Sequence, residues 1–79
     1  MPRYFLHLRN DMDVPDEEGF ELPDLAAARE TAIVNARFSL AQAAMEEAKI
    51  NFSHRIDIED ADGRVLDTVW FRDVVTVEG

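Results

Sequence analysis

The feature that most constrains this chain is a stretch from Leu25 to about Lys49, rich in alanine and free of glycine and proline, set between segments that alternate apolar and polar residues. A run of that length reads as one helix, and the alternating flanks read as strands. In a chain of 79 residues there is room for one such helix and one sheet. A chain of about this size buries only roughly 60 to 65% of the surface its unfolded form exposes, enough for a single core. The expected unit is therefore one α+β domain over residues 1–79, folding alone or as a small oligomer.

The start of the helix is marked by Pro23-Asp24 ahead of Leu25-Ala26-Ala27-Ala28, because the Asp24 carboxylate can accept from the free amides of the first turn. At 100° per residue Leu25, Ala28, Ala32, Ile33, Ala36, Leu40, Ala43 and Ala44 cover one broad side, the face that packs on a sheet. A second, narrower apolar stripe runs through Ala27, Val34, Phe38, Ala41 and Met45. One helix on one sheet has no use for it. Either the acidic loop or the C-terminal tail folds over it, or it is an interaction surface of Val34, Phe38, Ala41 and Met45 for an unknown protein partner or a second copy.

Upstream, Tyr4, Leu6 and Leu8 alternate with Phe5, His7 and Arg9, the period of two of a strand. Asn10 to Gly19 is crowded with turn formers and reads as a loop, after which Phe20, Glu21 and Leu22 form a short return strand. Downstream, His54, Ile56 and Ile58 alternate with Arg55, Asp57 and Glu59, and Asp60-Ala61-Asp62-Gly63 reverses the chain with Gly63 at positive φ. The returning strand, Arg64 to Phe71, contains two apolar doublets, Val65-Leu66 and Trp70-Phe71. Doubling requires a bulge or burial on both faces, and it suggests a central strand. Asp73 to Val77 continues as a strand or closes with a helical turn. The architecture expected is β-β-α-β-β, one long helix on a mainly antiparallel sheet of three to four strands.

Charge and composition narrow the chemistry. The chain has no cysteine, which removes disulfides, thiolate metal sites and thiol nucleophiles. The net charge is −9, with two basic and seven acidic side chains in residues 1–24, three and three in 25–50, and three and seven in 51–79. An acidic field repels phosphate backbones, so nucleic acid is not an expected partner. The N-terminus is too short in apolar residues for a signal peptide, and no stretch approaches a membrane span. The expected location is the cytoplasm.

The acidic loop Asp11-x-Asp13-x-x-Asp16-Glu17-Glu18-Gly19 has oxygen ligands but not the alternating spacing of a calcium loop, and a solvated loop is the simpler reading. Trp70 and Phe71 lack the basic rim of a base-stacking platform, which favours core packing for both. His7 and His54 are the only histidines, each without a neighbour at ligand spacing. Phosphate-cradling glycine loops, nucleophile elbows and paired-histidine zinc motifs are missing. No catalytic residue, metal or cofactor is therefore expected. The alternative to an interaction module is a small-ligand or metal-dependent activity using His7 or His54 with acids such as Asp57 or Asp67.

Several segments together carry a resemblance: Met1-Pro2-Arg3-Tyr4-Phe5-Leu6-His7-Leu8-Arg9, Asp16-Glu17-Glu18-Gly19-Phe20-Glu21-Leu22-Pro23-Asp24-Leu25, Ala27-Ala28-Arg29, Asp62-Gly63-Arg64-Val65-Leu66 and Val69-x-Phe71-x-Asp73. The chain resembles a family of short alphaproteobacterial proteins, a domain of unknown function. That resemblance covers almost the whole chain and implies a bacterial, cytoplasmic, stand-alone domain with no assigned site. The Pro23-Asp24-Leu25 turn leading into the alanine-rich Glu30 to Ala36 segment is also similar to the HicB-like antitoxin domain, which implies binding to a basic partner protein. The DNA-binding extension typical of that group is missing here, and its strand glycines and aromatics do not line up.

Overall fold

The computed structural model describes residues 1–10 and 13–79. Strand β1 (Arg3–Arg9) and strand β2 (Phe20–Glu21) precede helix α1 (Leu25–Glu46), and strands β3 (Arg55–Glu59) and β4 (Val65–Trp70) follow it, with a single 3-10 turn at Phe71–Asp73. The sheet order is β2-β1-β3-β4 and every adjacent pair is antiparallel. The expected α+β architecture is thus the observed one, with four strands and the helix across one face.

Period-two patterning decides the faces. Leu6 pairs with Ile58 and Leu8 with Ile56, and Ile56 pairs with Val69. These side chains, with Tyr4, lie under α1. On the helix, Ala28, Ala32, Ala36 and Leu40 are buried, one residue per turn at a spacing of four, so the methyl side chains let the helix axis approach the sheet closely. Phe71 and Val74 complete the core. Ala44, assigned by the wheel to the broad apolar side, is exposed, because the helix end projects past the sheet.

The ends of α1 follow local chemistry. Asp24 Oδ1 accepts from the Ala27 N–H at 2.9 Å, the expected N-cap. The helix stops at Glu46, three residues short of the expected Lys49. Ala48 sits at φ +54 and the Glu47 N–H donates to the Ala43 carbonyl at 2.9 Å, so an alanine occupies the left-handed position usually held by glycine.

Two expectations about β4 are corrected. It is an edge strand and not a central one, and Val65 and Leu66 are both exposed. The first doublet marks a register shift opposite Ile58 and Glu59. The second marks the strand's end, where the chain turns into 3-10 geometry and sends Phe71 into the core while Trp70 stays on the other face of the sheet. Core packing therefore holds for Phe71 alone of that pair. The Asp60 to Arg64 turn is as expected, with Gly63 at φ +82 and Asp60 Oδ1 accepting from the Asp62 and Arg64 N–H groups. The 3-10 turn takes in only Asp73 of the Asp73 to Val77 tail, residues 74–79 are neither helix nor strand, and Arg37 Nε donates to the Val74 carbonyl at 2.8 Å.

Candidate interaction surface

On the outer side of α1, Val34 is 59% exposed, Phe38 67% and Met45 87%, and Ala41 between them is also exposed. Among the described residues neither the acidic loop nor the tail lies over these side chains. The tail is held along the opposite flank by Arg37, and the loop is tied to the edge of β1. A groove of about 230 Å³ lined by Leu6, Leu8, Asn35, Phe38, Ser39 and Ile56 runs beside Phe38. It exists because α1 sits mainly over β3 and β4 and leaves this side of β1 less covered. The stripe and the groove together make an apolar surface on one side of the helix. The helix itself carries two arginines and two glutamates and so has no net charge, within a chain of charge −9.

The face of the sheet away from the helix is polar and internally satisfied. Cross-strand neighbours His7 and Asp57, Arg9 and Arg55, and Asp57 and Thr68 stand side by side there. Asp57 is buried, and its carboxylate accepts from Arg9 Nε, Arg55 Nε and Thr68 Oγ1, each at 3.2 Å. Arg9 also donates to Glu59 Oε2 at 3.3 Å. The paired arginines, adjacent in register, would repel without the carboxylate between them. Arg55 and Arg72 both lie against the Trp70 ring, at 5.6 and 4.9 Å from its centroid. These are the contacts of an ordered, solvent-facing sheet surface.

The two histidines do not meet. His7 Nε2 lies 3.5 Å from Glu59 Oε1, and its Nδ1 accepts from the Asp16 N–H at 3.0 Å. Glu59, two residues beyond the expected Asp57, is thus its acidic neighbour. His54 lies just before β3, not within it, with its ring edge-on to Phe71 at 5.6 Å and its Nε2 buried with no partner among the described residues. Asp67 is engaged by Arg29 at 2.8 Å. Among the described residues no group of three or more histidines and acids is placed to hold a metal ion. Asp11 of the acidic loop lies outside the described residues, while Asp16 accepts from the Leu6, Glu18 and Gly19 N–H groups. No described helix is long and apolar enough to cross a membrane.

Sequence reasoning named the helix stripe, but it named Asp57 only as an acid for a histidine and Asp16 only as part of a solvated loop. It missed the role each plays, since both roles depend on partners brought in from distant strands or across a loop. No curated protein and no solved structure matches the chain. The family model for the Domain of unknown function (DUF6894) matches residues 3–72, and the chain belongs to that family.

Proposed function

We propose that this domain is a non-enzymatic protein-interaction module whose contact surface is the outer face of α1, formed by Val34, Phe38, Ala41 and Met45. The observation that carries the reading is that three large apolar side chains, Val34, Phe38 and Met45, stand exposed in one line along a helix. Covering such a line removes about 25 cal/mol of unfavourable hydration per Å², and exposed apolar patches of a few hundred Å² mark association sites. The groove beside Phe38 adds a recess for a partner side chain. The histidine-centred alternative has less support, because His7 is engaged by Asp16 and Glu59 and, among the described residues, neither histidine belongs to a group of three or more histidines and acids placed to hold a metal ion.

The test is photo-crosslinking in cells, with a benzophenone amino acid at position 38 or 45 and at the exposed turn position 62 as control. A discrete protein adduct from positions 38 and 45 that is missing from position 62 supports the reading. Equal or no labelling at all three positions removes it.

A further inference from the structure

We infer that the partner is a second copy of this chain, docked through an antiparallel pairing of the two α1 helices. The inference rests on the interaction-surface reading and adds the occupant and its direction. Along the outer side the half-buried Ala27 and Thr31 and the exposed Val34, Phe38, Ala41 and Met45 follow a spacing of four, three, four, three and four. That is the 3.5-residue period at which two helices pack side chains into each other's gaps. A face built on this period fits another helix carrying the same period, and the nearest such helix is its own copy, as in isologous dimers.

Charge gives the direction. Glu30 and Arg37 are seven residues apart, so they lie on the same flank of the stripe, with opposite signs. An antiparallel pair brings that flank against itself, setting Arg37 of each copy against Glu30 of the other, two ion pairs by symmetry. A parallel pair would bring it against the other flank, where Asn35 and Gln42 stand and no charge is matched. Neither Glu30 nor the Arg37 terminal nitrogens have a partner within the chain among the described residues, since Arg37 uses only Nε, toward Val74. The helix face is also where two chains of charge −9 can approach with least repulsion, because α1 has no net charge, and more distant charges are screened beyond about 10 Å at ordinary ionic strength.

A helix of 22 residues is about 33 Å long. With Arg37 of each copy set against Glu30 of the other, the pair is centred near residues 33 and 34 and the two helices overlap only from about residue 25 to residue 42. That seam of about 27 Å takes in Val34 and Phe38 and leaves Met45 beyond it. It falls at the small end of specific interfaces, so association is expected to be weak. Sedimentation equilibrium of the full chain, from micromolar to near-millimolar concentration, is the measurement. A monomer–dimer equilibrium is expected. Phe38→Asp should weaken it by at least about 30-fold, the usual loss at a central anchor, with the circular-dichroism spectrum unchanged. Glu30→Arg should weaken it, and Glu30→Arg combined with Arg37→Glu should restore it toward wild type.

A chain that is monomeric throughout the range, or a dimer indifferent to Phe38→Asp, overturns the inference. Failure of the double exchange to restore association overturns the antiparallel direction. A monomer whose position 38 nevertheless crosslinks to a different protein in cells ends the second-copy inference and leaves the interaction surface standing. A monomer with no adduct ends both.

Discussion

The backbone N–H of Asp16 donates to His7 Nδ1 at 3.0 Å, and the carboxylate of the same Asp16 accepts from the Leu6 N–H at 3.1 Å. Along β1 the ladder to β2 covers only Arg3 and Tyr4, and the next backbone pairing on that edge is the bridge between Leu8 and Val14. Asp16 fills the interval, standing where a strand would be. The same contact places the proton of a neutral His7 ring on Nε2, facing Glu59.

His7→Ala should leave the Asp16 N–H without its acceptor and loosen the loop around it. The expected loss is about 1 kcal/mol of stability, the usual net value of one hydrogen bond. Amide hydrogen exchange at Asp16 should accelerate more than exchange in β3. Unchanged exchange at Asp16 would show that the ring does not hold the loop.

Asp57→Ala should cost about 2 kcal/mol in urea denaturation. Removing the carboxylate leaves two adjacent arginines without their shared acceptor, but their side chains are 30 and 40% exposed, and water recovers part of the loss. Asp57→Asn keeps the shape and one acceptor oxygen and should fall between the two. An Asp57→Ala domain as stable as wild type would mean the sheet's polar face contributes nothing to folding.

Gly19 and Ala48 predict changes of opposite sign. Gly19 has φ +74, and a Cβ there would lie 2.9 Å from Arg3 Cγ and 3.0 Å from both Phe5 Cε2 and the Tyr4 carbonyl oxygen. Gly19→Ala should therefore destabilise by about 1 to 3 kcal/mol. Ala48 already holds a left-handed conformation at φ +54, so Ala48→Gly should stabilise by about 0.5 to 1 kcal/mol despite the added freedom of the unfolded chain. Thermal melts of the two variants should move in opposite directions.

Phe38→Asp should leave a dilute sample folded, at a cost of a few tenths of a kcal/mol in helix propensity, whereas Leu40→Asp should unfold it. Leu40 is buried against the sheet, and an unpaired charge there costs several kcal/mol, comparable to the roughly 5 kcal/mol total of a domain this small. Circular dichroism of both variants checks this. The reverse outcome would place the helix the wrong way round.

What the sequence by itself determined is whatever depends on local order along the chain. The glycine-free alanine run is a helix, Asp24 caps it, the alternation of Tyr4, Leu6 and Leu8 with Phe5, His7 and Arg9 is a strand, and Gly63 turns the second hairpin, because each follows from neighbours within a few residues. The stripe of Val34, Phe38, Ala41 and Met45 was legible for the same reason. Tertiary structure decided which strand is the edge, that Trp70 and Phe71 part to opposite faces, that Asp57 is buried between two arginines, and that Asp16 completes β1. These depend on which distant segments pair. A carboxylate that will be buried and one that will stay in solvent look the same in a sequence until the strands beside them have taken their places.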